Sequence, residues 1–230
     1  MKLGILSDLH GNNFAFDRVL EVLRAENIEK LLVLGDVCGY YYGTEKILDE
    51  LKKWDCIFIN GNHERMLEAY LDGDDIARQR VVTKYGSSFK YLKLQTTQFF
   101  KGLKDQEVIV ECGKRILLCH GSPWNSDLYV YPDKISEYSE LFENVDADIV
   151  LMGHTHYQMV TTIGNKMVIN PGSVGQSRLV GSTAFWGVLN LQDDQVIYEP
   201  RAANYDPLRL ISQVKRFDPT NEYLINVLNR

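Results

Sequence analysis

The chain is short of cysteine, of long apolar runs and of basic charge, and each shortage removes a class of protein. Its 230 residues include only four cysteines, Cys38, Cys56, Cys112 and Cys119. None belongs to a CxxC pair, which disfavours a structural thiolate zinc site. They are expected to be buried free thiols, which points to a reducing cytoplasm. No apolar stretch approaches the roughly 20 residues that a membrane span needs. The opening MKLGILSDLH turns polar at once and does not read as a signal peptide. Low-complexity tracts, repeats and long linkers are missing too. The formal net charge is −6, which argues against nucleic acid as a partner. One segment departs from this balance. From Arg78 to Lys104 there are seven Lys or Arg and no acidic residue, interleaved with Tyr85, Phe89, Tyr91, Phe99 and Phe100. A solvated helical face with buried rings accounts for it; the functional alternative is a lid that draws in an anionic substrate.

What is present reads first as alternating strands and helices. KLGILS, KLLVLG and CIFIN are short apolar strands. Between them lie two amphipathic helical stretches, one with Phe16, Val19, Leu20 and Leu23 on one face and Asn12 or Asn13 at its start, the other capped by Thr44. This order argues for a parallel sheet. Residues 64–104 read as helical, broken at Gly73, Gly86 and Gly102. EVIVECG and KRILLCH follow as two strands, 134–144 as a helix, and DIVLMG as another strand. Two antiparallel hairpins come next, one turning at Gly164-Asn165 and one at QDDQ, and the tail from Asp206 onward is helical.

The apolar strands all end in polar residues of one kind. SDLHGN gives Asp8 and His10, LGDVCG gives Asp36, INGNHER gives Asn62 and His63, LLCHGS gives His120, and LMGHTH gives His154 and His156. These account for all five histidines of the chain. Sites in open α/β sheets form in the crevice beyond the carboxyl ends of the strands. An X-y-X spacing in an extended segment turns both X side chains to one side, so Asp8 with His10, and His154 with His156, would face the same centre. The donors are carboxylate, imidazole and one amide, a set that suits Mn, Fe, Zn, Co or Ni. Asp8, His10, Asp36, Asn62, His120, His154 and His156 are too many for one ion. Two ions sharing a carboxylate would use them all. Metals about 3.5–4 Å apart are the usual device for phosphoester hydrolysis, in which a water between them loses a proton and attacks phosphorus.

In this order, DxH, GD, GNHE, an isolated His and GHxH resemble the motifs of the calcineurin-like metallophosphoesterases, and NPGSVGQSR and DLHGNNFAFDRVL resemble segments of its small prokaryotic members. The resemblance implies an α/β fold of the α+β kind, a four-layer αββα sandwich of two mixed β-sheets flanked by helices. It implies one domain over 1–230 with a helical excursion at about 64–104. The parallel first half and antiparallel second half would be the two sheets. It also implies that Asp8, His10 and His156 hold one ion, that Asn62, His120 and His154 hold the other, and that Asp36 bridges them. His63 would not bind metal; it would stabilise the phosphoryl oxygens and protonate the leaving group.

The implied activity is phosphoester hydrolysis, with a small phosphodiester as substrate, two divalent transition-metal ions with Mn foremost, and no membrane partner. A phosphomonoester of a small metabolite is the rival substrate, and a metal-binding scaffold of the same fold is the rival from another class. The sequence departs from the protein-phosphatase pattern GDxVDRG: GDVCGYYYG lacks its second Asp and its Arg. His63 therefore has no evident partner and the phosphate no evident clamp. Arg178 and Asn12 are the candidates for substrate contact, with a surface loop and a helix cap as their structural alternatives. Tyr40, Tyr41 and Tyr42 read better as residues packed against a loop than as an aromatic lip.

Overall fold

The computed structural model describes residues 1–192 and 195–230. Strands β1 (Lys2–Leu6), β2 (Lys30–Val33) and β3 (Cys56–Phe58) pair in parallel, and helices α1 (Asn13–Ala25) and α2 (Thr44–Leu51) make the crossovers. Helices α3 (Asn62–Asp72), α4 (Asp75–Tyr85) and α5 (Leu94–Lys101) follow, and Gly73, Gly86 and Gly102 each terminate one of them. The second sheet holds β4 (Gln106–Glu111), β5 (Lys114–Cys119), β6 (Ile149–Leu151), β7 (Gln158–Ile163) and β8 (Lys166–Pro171), with α6 (Ser139–Glu143) before β6. Its strand order is β4-β5-β6-β8-β7, parallel through β5, β6 and β8 and antiparallel at both edges. β9 (Thr183–Gln192) and β10 (Gln195–Asn204) return to the first sheet, which runs β10-β9-β1-β2-β3. Helices α7 (Leu208–Phe217) and α8 (Tyr223–Asn226) complete the fold, and the chain is the expected sandwich of two mixed sheets with helices outside.

The expected division into a parallel first half and an antiparallel second half is not what forms. β9 pairs antiparallel with β1 along Lys2–Ile5, so the last hairpin is built into the first sheet. β1 would otherwise leave one edge of its buried backbone without partners. The turn residues Asp193 and Asp194 of that hairpin lie outside the described residues. Two local expectations also change. Thr44 is the first residue of α2 and not its cap, with no side-chain cap bond at Gly43. Of the cysteines only Cys38 and Cys119 are buried; Cys56 is half-buried, and Cys112 is exposed in the β4–β5 turn with a left-handed backbone. The helix expected over 134–144 is a 3-10 turn at Ile135–Tyr138 followed by α6.

Strand alternation distributes the core. Leu3 and Ile5 of β1, Leu32 of β2, Ile116 and Leu118 of β5, and Ile149 and Leu151 of β6 point between the sheets. The intervening Leu6, Leu31 and Val33 point under α1 and α2, and Leu117, Cys119 and Val150 point under α6. Both faces of each inner strand are therefore dry, which is why these strands read as continuous apolar runs. Leu118→Ala and Ile5→Ala should each cost about 2–5 kcal/mol, because the cavity left between two sheets cannot collapse. Urea denaturation checks this; a loss below about 1 kcal/mol would mean that the layer between the sheets is not close-packed.

Candidate metal centre

The parallel strands bring their carboxyl ends to one rim. Asp8 and His10 follow β1, Asp36 follows β2, and Asn62 opens α3 beyond β3. From the other sheet, His120 follows β5, and His154 and His156 follow β6. All but the half-exposed Asn62 are buried. The side chains do not converge by strand alternation, as the X-y-X spacing suggests. Asp8, His10, Asp36, His154 and His156 instead adopt left-handed backbone, with φ of 53°, 49°, 53°, 67° and 64°. Such a conformation costs a non-glycine residue roughly 1–2 kcal/mol. It persists only where the surroundings over-determine it, and such positions cluster at functional sites. Here the Asp8 and His10 N–H groups donate to the carbonyls of Gly35 and Asp36 (3.1 and 2.8 Å), and Ser173 Oγ donates to the Asp8 carbonyl (2.7 Å). A side chain at Gly153 would collide with Ser7 Oγ, at 2.0 Å. The close approach that glycine permits lets the His154 N–H reach Asp8 Oδ2 at 3.0 Å.

Four histidines are oriented by backbone carbonyls, which can only accept. His10 Nδ1–H donates to Cys38 O (3.3 Å), His120 Nδ1–H to Leu34 O (2.7 Å), and His156 Nδ1–H to Gln176 O (2.5 Å). Each is thereby left with Nε2 facing inward. His154 is turned over: its Nε2–H donates to Asp127 O (3.2 Å), leaving Nδ1. The inward nitrogens meet acceptors. His156 Nε2 lies 3.2 Å from Asp8 Oδ1, and His120 Nε2 lies 3.3 Å from Asp36 Oδ2 and 3.1 Å from Asn62 Oδ1. His10 Nε2 is 3.1 Å from His156 Nε2 and 3.8 Å from both Asp8 Oδ1 and Asp36 Oδ2.

These atoms form clusters of the size that a cation fills. Asp8, His10 and His156 offer donors within 4.8 Å of one another, and so do Asp36, His120 and His154. A third combination, His10, Asp36 and His63, has the same span. It shares members with the first two, and His63 lacks the carbonyl anchor of the other four. Asp8 Oδ1 is buried with no hydrogen-bond partner among the described residues, and it points at His10 and His156. An orphaned carboxylate oxygen beside two imidazole lone pairs fits a divalent cation and little else.

A family model described as the calcineurin-like phosphoesterase superfamily domain matches residues 1–194. The chain belongs to that superfamily. It is a metal-dependent phosphoesterase. Phosphodiesterase YfcE of Escherichia coli K12 is 26% identical over 190 residues, covering 83% of this chain and 88% of YfcE. An uncharacterized protein of Methanocaldococcus jannaschii is 26% identical over 201 residues, covering 76% of this chain and 77% of its own. In fold, a metallophosphoesterase from Sphaerobacter thermophilus aligns with a TM-score of 0.79 at 21% identity, over 99% of this chain and 98% of that one.

Charge in this phosphoesterase centre is set by burial and mutual contact. Burial would raise the Asp8 carboxyl, but His156 and His120 hold it below the usual carboxylate range. Asp36 is held down likewise against its burial, by His120 and His63. Burial alone would lower His120, yet Asp36 and Asp8 push it up to about 10. Burial and the neighbouring His120 bring His154 down to about 4.

The other residues singled out by sequence fall in different places. His63 is buried and its N–H donates to Asp36 Oδ1 (2.8 Å). Its Nδ1 has no partner among the described residues, and burial lowers its basicity. Among the described residues no carboxylate hydrogen-bonds its ring. Gly39 (φ +90°) packs on the ring so closely that a Cβ there would stand 2.0 Å from Nδ1. Asn12 is buried and engaged within the fold. Its Oδ1 caps α1 at Ala15 N (3.1 Å), and its Nδ2 donates to Gly175 O and Tyr205 Oη (2.7 and 2.8 Å), so the amide is used up inside the protein. Arg178 is part-exposed, with its guanidinium 5.8 Å from the Tyr129 ring, which itself stacks on His154 at 3.7 Å. Of the Tyr triplet, Tyr40 and Tyr41 are buried. Tyr41 packs away in the core under the helices, whereas Tyr40 lies edge-on to His10 at 4.6 Å and beside His63 at 4.7 Å.

Glu64 is the residue that the sequence argument passed over. Buried, it accepts the N–H groups of Asp36 (2.8 Å), Gly61 (2.9 Å) and Cys38 (3.1 Å), so one carboxylate ties the Asp36 loop to the start of α3. Its place three residues after Gly61, at the third position of a helix, is the signal that could have revealed it. In Glu64→Ala three buried N–H groups lose their acceptor, and the loss should be about 2–4 kcal/mol of unfolding free energy. Thermal and urea unfolding will read it; stability within about 0.5 kcal/mol of the parent would show that water or another group takes over.

Proposed function

We propose that the protein hydrolyses a small phosphodiester at two divalent metal ions, with Mn the favoured metal, in the cytoplasm. The observation that carries this reading is the orientation of the four anchored histidines toward Asp8 and Asp36, with His63 left out. In it, Asp8, His10 and His156 would hold one ion, Asn62, His120 and His154 would hold the other, and Asp36 would be shared between them. The donor set of nitrogen and oxygen without thiolate suits Mn, and the likeness to YfcE supports the diester. When bound, the two ions polarise the phosphoryl group and supply a nucleophile at neutral pH.

The chain's own residues do the rest. Asp36 Oδ2, 3.3 Å from His120 Nε2 and 3.8 Å from His10 Nε2, stands between the two groups of donors. Arg178 takes the clamping role that the missing arginine of the protein phosphatases leaves open. Burial opposes its charge, but the hydroxyls of Tyr223, Tyr40 and Tyr129 and the carboxylate of Asp8 more than offset that and favour the guanidinium. In this reading His63, 4.7 Å from the His10 ring, would protonate the leaving group. Lys84 at the end of α4, over the Tyr85 ring at 4.8 Å, is the residue of the basic segment that would draw an anion in.

Metal analysis of the purified protein, joined to a diester-versus-monoester hydrolysis screen with added Mn or Ni, tests the reading. Bound metal and faster diester turnover are expected; neither metal nor hydrolysis would overturn it, and faster monoester turnover would change the substrate class. Asp36→Asn should lower kcat/KM more than His10→Ala or His156→Ala, and by more than about a hundredfold, the upper end for loss of a mere outer partner. A larger effect at either histidine would require another bridge. Metal affinity should rise with pH between 6.5 and 8.5. An ion bound through His120 Nε2 must displace a proton held up to about pH 10, so affinity gains about tenfold per pH unit for each proton released. Calorimetric titration with Mn reads this slope, and a flat profile would remove His120 from the ligands.

A further inference from the structure

The family match ends at residue 194, yet the chain beyond it returns to the mouth of the metal centre. Tyr223, the first residue of α8, has its ring 6.1 Å from Tyr40, and its hydroxyl donates to Gln176 Oε1 at 3.2 Å. Gln176 is the residue whose carbonyl orients His156. Tyr40 touches both His10 and His63, and Tyr85, at the end of α4, lies 5.9 Å from Tyr40 and 5.3 Å from His63. Three tyrosine rings from three separate parts of the chain therefore form one cluster, with Tyr40 and Tyr85 against His63 and Tyr223 against Tyr40. Tyr40 holds its place in a left-handed backbone, φ 52°. Tyr223 is 38% exposed, so a face of this wall is open. The Tyr129 ring is already engaged, by His154 and by the Arg178 guanidinium.

The wall is tied together before any ligand arrives. Asp218, buried between α7 and α8, accepts from the Ser87 N–H (2.9 and 3.0 Å), from Ser87 Oγ (2.9 Å) and from Tyr42 Oη. It thus joins the end of α4, which carries Tyr85, to the segment that carries Tyr223. Tyr41 Oη donates to Leu224 O at 3.1 Å, and Ser182 Oγ to Leu228 O at 2.7 Å, fastening the same segment at two further points. A fixed aromatic face loses little entropy when a ring stacks on it.

We propose that Tyr223 is a specificity-determining residue: with Tyr40 and Tyr85 it forms an aromatic wall beside His63 that receives a planar ring on the leaving-group side of the phosphoester. This rests on the phosphoesterase reading above, because it places the leaving group beside His63. It narrows the substrate class to esters whose departing alcohol carries an aromatic or heteroaromatic ring.

Inhibition of Mn-loaded enzyme by phenylphosphonate and by methylphosphonate tests it, since both offer the same anionic head and only one offers a ring. The wild-type protein should bind phenylphosphonate more tightly. Tyr223→Ala and Tyr85→Ala should each reduce that preference about threefold to tenfold, whereas Tyr223→Phe, which keeps the ring, should hold it within about twofold. A melting curve confirms that each variant is folded, and if Tyr223→Ala is not, Tyr85→Ala decides alone. Equal binding of the two phosphonates by the wild type, or a preference that survives the alanine variants, would overturn the inference while hydrolysis itself stands. If the Mn-loaded wild type binds neither phosphonate and hydrolyses no phosphoester, the phosphoesterase reading falls with it.

Discussion

The structure is organised around a buried cluster of acceptors that lack donors. Asp8 and Asp36 are carboxylates out of contact with water, and carbonyl groups that hold Nδ1 turn Nε2 inward, bare on His10 and His156 and protonated on His120. His10 and His156 oppose nitrogen to nitrogen at 3.1 Å beside the unpartnered Asp8 Oδ1. Buried charge of one sign is costly unless a counter-charge is present. In this centre part of the compensation comes from the His120 imidazolium, which Asp36 and Asp8 keep protonated to about pH 10. A divalent cation meets the same need more completely, because it takes carboxylate and imidazole lone pairs together.

The rest of the fold holds that cluster in place. Two sheets share a dry layer built on Leu3, Ile5, Leu32, Ile116, Leu118, Ile149 and Leu151, which aligns the strand ends of both at one rim. Left-handed residues then fold the loops inward, and hydrogen bonds between loops fix them there: Gly175 N–H on the Asp8 carbonyl, Gly153 N–H on the His120 carbonyl, the Asp36 N–H on the Glu64 carboxylate. The first of these joins segments more than a hundred residues apart. The ligands are therefore precise to the extent that both sheets are packed, and local strain at the loops is sustained by the core beneath them.

Much of this was legible in the sequence. Apolar runs ending in Asp, His or Asn marked the strand ends, and the five histidines and two aspartates singled out there do meet at one centre. The helix breaks at Gly73, Gly86 and Gly102 were equally plain. What the sequence misplaced had physical causes. β9 joined the first sheet because β1 had an edge to satisfy, and pairing over such a distance leaves no local pattern. The Asp8–His10 and His154–His156 pairs looked like strand alternation because spacing does not reveal φ. Asn12 had two readings; it caps α1 through Oδ1, and its other contact, with Tyr205, spans almost the whole chain.

Residue types in order along the chain thus determined the chemistry of this protein: which donors exist, that they are nitrogen and oxygen without thiolate, and that each follows an apolar strand. The tertiary structure alone decided how those donors face. It chose which nitrogen of each histidine turns inward, it left His63 enclosed by Tyr40 and Tyr85 with no hydrogen-bond partner for its Nδ1 among the described residues, and it brought Tyr223 from the C-terminal segment to the mouth of the centre. Donor identity is a property of single residues and can be read one position at a time. Orientation is set by carbonyls, rings and carboxylates contributed from distant segments, and it exists only once the two sheets have packed.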